Sequence, residues 1–233
     1  MDYIAKNISQ ITALVEKSSK DSHQNGDTIK LLAVSKGQNV DKIRAAWRAG
    51  VHCFGENYLQ EALKKMVELA DLEIEWHFIG AVQGNKAGAI AEHFSWVHTI
   101  DRARVADLLA KHRPRQLPPL NVCIQVNIDA EASKAGATTG EVAALARHIT
   151  GLPALCLRGL TVIPKPRAGL EEQREPFRRA RQLLEQLRKC SPELRSLDTL
   201  SMGMSNDVAA AVMEGATIIR VGTALFGPRE IRR

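Results

Sequence analysis

With 233 residues, 45% of them hydrophobic and 25% charged, the chain has globular rather than disordered chemistry and enough apolar material for a sizeable core. The formal net charge of +6 favours anionic partners, but the basic residues are spread along the chain, aromatics make up only 4%, and no recognition motif is present, which argues against a nucleic-acid binder. No apolar run suits a secretory signal or a membrane span, and the four cysteines, Cys53, Cys123, Cys156 and Cys190, show no metal-ligand spacing, so reduced, mostly buried thiols in a cytoplasmic protein are expected.

Ile4, Ile8, Ile11 and Val15 recur at helical spacing behind Asp2, which predicts an amphipathic opening helix. Eight short apolar segments rich in β-branched residues follow: KLLAVSK (30–36), VHCFGEN (51–57), EWHFIG (75–80), SWVHTID (95–101), LNVCIQVNI (120–128), LRGLTVIP (157–164), TLSMGMS (199–205) and TIIRVGTALFG (217–227). Helical patterns separate them, legible at Val40 to Ala49 before Gly50, at Glu171 to Cys190, and at Asp207 to Glu214 before Gly215. Basic residues between Arg174 and Arg181 alternate with Glu171, Glu172 and Glu175 and read as a solvated helix face.

Strands alternating with helices imply a parallel sheet, whose strands are covered on both faces and therefore read as continuous apolar runs. Eight repeats favour an α/β fold closed into a single (β/α)8 barrel of the TIM type over residues 1–233, with no composition break for a second domain. Little chain remains after the eighth strand, so the opening helix is expected to complete the outer ring.

Active sites of such barrels lie at the carboxyl ends of the strands. Lys36 ends the first strand, Glu56 and Asn57 follow the second, Asp101 ends the fourth and Asn127 stands near the end of the fifth. Asn57 and Asn127 are also plausible turn formers, and Asp101 and Ser205 plausible helix caps. His77 and His98 read as hydrogen-bonded core residues, and Trp47, Trp76 and Trp96 as packing residues. LSMGMSND and RVGTALFG bring hydroxyls and glycines to the last two strands, the usual phosphate site of this architecture, where Ser205, Gly222 and Thr223 can serve a dianion. A lysine partly desolvated at the barrel mouth is a candidate to attack a carbonyl as neutral amine. An amine-reactive lysine opposite a phosphate cradle suits pyridoxal 5′-phosphate (PLP), with Arg220 facing its ring nitrogen.

The same segments, LLAVSK, FGENYLQEA, EWHFIGAVQGNK, LRGLTVIP, LSMGMSND and RVGTALFG, identify the chain as resembling, nearly end to end, the pyridoxal-phosphate homeostasis proteins, a family that shares the alanine racemase N-terminal-domain barrel. The resemblance implies that Lys36 forms the Schiff base, that Asn57 lies beside the cofactor, and that Arg220 partners the pyridine nitrogen. Ser201 and Ser205 with Gly222 and Thr223 would hold the phosphate, with Met202 and Gly203 of the same segment beside it. It further implies a protein of vitamin B6 and amino-acid homeostasis that carries PLP, with PLP-dependent apo-enzymes as partners and without catalysis of its own; separately, a monomer is expected. A weak PLP-dependent racemase or lyase is the alternative. Lys134, in the SKAG segment, reads as a solvated loop lysine and as the substitute should Lys36 not be the reactive amine.

Overall fold

The computed structural model describes residues 2–21, Gly26 and residues 29–228. The elements run α1 (Asp2–Asp21), β1 (Lys30–Val34), α2 (Val40–Arg48), β2 (Cys53–Glu56), α3 (Leu59–Glu68), β3 (Glu75–Phe78), α4 (Ala87–His93), β4 (Trp96–Ile100) and α5 (Ala103–His112). They continue with β5 (Leu120–Val126), α6 (Val142–Thr150), β6 (Leu155–Val162), α7 (Leu170–Cys190), β7 (Thr199–Met204), α8 (Val208–Met213), β8 (Ile218–Val221) and α9 (Thr223–Phe226). The eight strands are parallel and pair in sequence order; β1 closes on β8 with Lys30 opposite Ile218 and Ala33 opposite Val221. All eight expected strands are present, and the fold is the expected (β/α)8 barrel.

Apolar side chains of the strands divide between two cores. The larger lies between barrel and helices; the smaller, Leu32, Trp96, Cys123 and Ile218, fills the interior of the barrel. Ile4, Ile8, Ile11 and Val15 of α1 join the larger core, each contributing roughly 1.5–3 kcal/mol of burial. Because α9 is only one turn, α1 takes the outer position after β8: Asn7 Nδ2 donates to the Leu225 carbonyl at 3.0 Å and Tyr3 Oη to that of Phe226 at 3.3 Å. Gly50 (φ 92°) and Gly215 (φ 98°) follow α2 and α8 in the left-handed conformation that terminates helices.

Two expectations change. Cys156 and Cys190 are exposed, because one sits at the uncovered start of β6 and the other on the last residue of α7; Cys123 is buried and Cys53 half-buried. The basic stretch of α7 is more than a solvated face. Arg174, Arg178 and Arg181 all donate to the buried Glu214 carboxylate after α8, and Arg179 donates to Asp129 after β5.

Asp129 also accepts from Arg167 and from the Lys165 backbone N–H, so one carboxylate ties the loop after β5 to the loop after β6 and to α7. Burial alone would raise this carboxyl, but the hydrogen bonds and positive charges outweigh it and hold it at about 2, against an ordinary 3.8. A depressed carboxyl contributes stability above its unfolded pKa and loses it as pH falls through the folded value. The stability difference between the wild type and Asp129→Asn, read from urea unfolding, is therefore expected to be about 1–2 kcal/mol near neutrality and to vanish between roughly pH 4 and pH 2.

Candidate functional site

At the carboxyl ends of the strands lies a cavity of about 210 Å³ lined by residues in, or just beyond the end of, every strand but β5. Lys36, Asn57, Ser205 and Gly222 stand on its rim loops and Thr223 opens α9; Arg220, His98 and Thr161 come from the strands, and Ile79, Ile163 and Met204 supply apolar wall. On one lining residue, Asn57, the buried Oδ1 has no hydrogen-bond partner among the described residues. A buried polar group left unpaired costs roughly 1–3 kcal/mol, so this atom is suited to a polar partner brought by a ligand.

Lys36 lies two residues beyond the end of β1, in a turn rather than at the end of the strand. The turn closes where the Gln38 N–H donates to the Ser35 carbonyl at 3.0 Å, and its third residue is Gly37 at φ 71°, a conformation that disfavours residues with a Cβ. Both neighbours of Lys36 are anchored by one buried network. Ser35 Oγ donates to Glu56 Oε1 at 2.7 Å, and Lys65 Nζ donates to the Ser35 carbonyl and to Glu56 Oε1, each at 2.7 Å. Lys65 also donates to Glu61 Oε1, which accepts from the Gly37 N–H, each at 2.6 Å. The Glu56 carboxyl is pushed up by burial, against the pull of Lys65. Nearby, the lack of a Cβ at Gly80 lets the chain after β3 press against the Asn57 carbonyl.

Below the rim, Arg220 is buried, and burial lowers its guanidinium to about 10. It donates through Nη1 to Ser201 Oγ at 2.8 Å and through Nη2 to the Val162 carbonyl at 2.9 Å. On the opposite face of the barrel, Cys53, Glu75 and His77 bring ligand-type atoms within 4.8 Å of one another. Lys30 Nζ stands 2.6 Å from the same Glu75 oxygen, so an ammonium already matches the charge of this group.

Residues 2–230 match the family described as alanine racemase, N-terminal domain. The chain is 50% identical over 230 residues to the pyridoxal phosphate homeostasis protein of Pseudomonas aeruginosa, covering 99% of this chain and 97% of that one. It is 43% identical to the protein of that name from Escherichia coli, over 99% and 98% of the two chains. The chain belongs to the pyridoxal phosphate homeostasis protein family. The fold superimposes on PipY of Synechococcus elongatus with a TM-score of 0.82 at 38% identity, covering 92% of this chain and all of that one. A second structure of PipY, described as having PLP bound, gives 0.80 at 36% identity. Alanine racemase of Corynebacterium glutamicum shares the fold, with a TM-score of 0.67 at 18% identity, and this chain spans 62% of it.

In this member of the pyridoxal phosphate homeostasis protein family, the residues singled out by sequence fall into two groups. Lys36, Asn57, Ser205, Arg220, Gly222 and Thr223 share the cavity. Ser201, Met202 and Gly203 do not line it. Ser201 is buried against Arg220 and His98, and Met202 is buried in the outer core. Gly203 (φ 90°) lies where the pairing steps from Ser201–Ile218 to Met204–Arg220; this one-residue bulge swings Met204 and Ser205 onto the cavity rim. Asn127 organises its own loop, exchanging hydrogen bonds with the Glu131 backbone, and Ser205 caps no helix: Asp207 occupies the N-cap position of α8, and its carboxylate accepts from the Met204 N–H. Sequence reading missed Thr161 and the lining role of His98. The only signal for either was its place in a strand, which does not say which face turns inward.

Proposed function

We propose that the protein binds PLP through a Schiff base to Lys36 and serves vitamin B6 and amino-acid homeostasis as a cofactor carrier. The observation that carries the reading is that one cavity holds both Lys36 and the rim of Ser205, Gly222 and Thr223. The donor set suits the ligand: an amine for an aldehyde, hydroxyls and main-chain groups for a phosphate, a guanidinium for the ring nitrogen, and an unpaired buried oxygen on Asn57. PLP, when bound, supplies an aldehyde that condenses with amines and a ring that accepts electrons.

The residues of this chain restrain that ring. A buried arginine donates hydrogen bonds and keeps its proton, so it leaves the ring nitrogen unprotonated and the ring a poor electron sink. Among the described lining residues the titratable groups are Lys36, His98 and Arg220, and both ring nitrogens of His98 are engaged within the barrel. A racemase needs an acid and a base on opposite faces of the substrate, so this set supports the carrier reading over the racemase or lyase alternative. Transfer to PLP-dependent apo-enzymes, a monomeric state and a cytoplasmic setting belong to the same proposal. Among the described residues no helix is long and apolar enough to cross a membrane.

The test is the absorption spectrum of protein incubated with PLP and dialysed, before and after borohydride reduction, followed by mapping of the modified lysine. Label on Lys36, with retention weakened about tenfold in Thr223→Ala through loss of one hydrogen bond to a charged group, is the expected result. A protein that leaves dialysis colourless and unlabelled overturns the proposal.

A further inference from the structure

Resting on the reading of the cavity as a PLP site, we propose that Ser201, His98, His77 and Glu75 form a hydrogen-bonded relay that positions the Arg220 guanidinium in the cavity wall, where it would meet the ring nitrogen, and is anchored at the opposite face of the barrel by Lys30. Every link has normal hydrogen-bond length. Arg220 Nη1 lies 2.8 Å from Ser201 Oγ, Ser201 Oγ 2.9 Å from His98 Nδ1, His98 Nε2 2.8 Å from His77 Nδ1, and His77 Nε2 2.8 Å from Glu75 Oε1. Lys30 Nζ donates to that same oxygen at 2.6 Å. Ser201, His77 and His98 are fully buried and Arg220 nearly so, so water does not compete for the links from Arg220 to His77, whereas Glu75 and Lys30 at the far end are about a third exposed.

The chemistry of the ends assigns a direction to the whole file. Glu75, with an ammonium beside it, is an ionised acceptor; its carboxyl is held far below the usual range by the hydrogen bond from His77 and then that from Lys30. Nε2 of His77 must then carry the proton, which leaves Nδ1 of His77 as an acceptor. Nε2 of His98 donates to it, so Nδ1 of His98 accepts from the Ser201 hydroxyl, and Ser201 Oγ in turn accepts from Arg220. Each hydrogen is used once, and both imidazoles are neutral Nε2–H tautomers. Burial disfavours their protonation, most strongly at His98, where His77 and Arg220 act in the same sense. The opposite direction needs a protonated Glu75 beside Lys30.

The remaining charged or ionisable groups that bear on the file do not reverse it. Cys53, on β2, keeps a protonated thiol, pushed by burial to about 12, and donates to Glu75 at 3.3 Å. Cys123, on β5, is likewise a thiol at about 12, and Asp207 acts on Arg220 only as a stabilising negative charge. Stacking of His77 on Trp96, 5.3 Å between centroids and 5° between planes, fixes the ring that turns the file toward Glu75. The relay spends one Nη1 hydrogen of Arg220 on Ser201, and the Val162 carbonyl takes one from Nη2. Both terminal nitrogens are thereby pinned, and the remaining N–H bonds of the guanidinium are those left for the cavity that Arg220 lines. Ser201, His98, His77 and Glu75 are in this sense positioning residues.

Two measurements test it. In the protein without PLP, long-range proton–nitrogen correlation of ¹⁵N-labelled histidines should find His77 and His98 as neutral Nε2–H tautomers across roughly pH 6 to 9. A proton on His98 Nδ1 overturns the relay. With PLP added, Ser201→Ala and Glu75→Leu should retain the cofactor about tenfold less tightly and move the pH midpoint of its absorbance by roughly half a unit or more, whereas Glu75→Gln, which still offers an acceptor oxygen, restores the wild-type midpoint. Ser201→Ala keeps the test available should Glu75→Leu not fold. Normal uptake on Lys36 with midpoints unchanged in both variants overturns the relay alone. A wild-type protein that takes up no PLP overturns the reading of the site, and the relay's role with it.

Discussion

Lys36→Ala protein, incubated with PLP, reduced with borohydride and digested, is expected to yield no pyridoxyl-lysine peptide while melting within about 3 °C of the wild type. The two halves of this expectation have separate causes. The amine is the only part of Lys36 that can form a covalent bond to an aldehyde, so its removal leaves hydrogen bonds and phosphate contacts that dialysis can empty. The turn does not depend on the side chain, because Ser35 is held by Glu56 and Lys65 and Gly37 by Glu61. A truncation at a half-buried rim position shifts stability by roughly 0.5 kcal/mol, within a few degrees for a chain of this size. Lys134 is the natural alternative amine, but it is ion-paired to Glu131 at 2.7 Å, donates to the Ile163 carbonyl at 3.3 Å and does not line the cavity. Persistent label in Lys36→Ala, mapped to Lys134, would falsify the assignment of Lys36.

The second large effect lies beneath the same turn. Lys65→Met should cost about 3–5 kcal/mol in urea unfolding near neutral pH, because it strands the Glu56 carboxylate, which is 0% exposed, without its counter-charge. The Oε2 atom of Glu56 has no partner among the described residues, so little else compensates the charge. Burial already raises this carboxyl, and losing Lys65 raises it further. A folded-state pKa above the unfolded one makes ionisation the destabilising event, so the deficit is largest above the raised pKa and shrinks as pH falls through it. Lys65→Met combined with Glu56→Gln removes the stranded charge and should recover most of the loss. Equal stability of the single and double variants at neutral pH would show that Glu56 does not carry the cost. The single variant also frees the Ser35 carbonyl, so PLP labelling at Lys36 should fall along with stability.

Much of this architecture is legible in the chain itself, for a physical reason. A parallel strand covered on both faces must be apolar along its length, and a helix laid over it must be apolar on one stripe, so runs such as LNVCIQVNI and the spacing of Ile4, Ile8, Ile11 and Val15 reveal their elements locally. Eight such repeats leave few closed arrangements, and glycine at Gly50 and Gly215 marks helix ends because of backbone sterics alone. The rim residues Lys36, Asn57, Ser205, Gly222 and Thr223 were accessible in the same way, since barrel topology sends the ends of all strands to one face.

What the sequence could not specify is which side chains turn inward and which partners they meet there. Ser201 and Ser205 sit four residues apart in one motif, yet the bulge at Gly203 leaves the first under Arg220 and the second on the rim. The arginines of α7 look solvated until α8 brings Glu214 beneath them. Lys65, Glu56 and Ser35 come from α3, the end of β2 and the loop after β1, and meet because β1 pairs with β2; Glu75, His77, His98 and Ser201 come from three strands, and only closure of the barrel brings His98 of β4 to Ser201 of β7. Local chemistry determined the strands, the helices and the face that carries the site. Inward orientation and pairing across the barrel, which depend on strand register and closure rather than on neighbours in the chain, were decided by the tertiary structure alone.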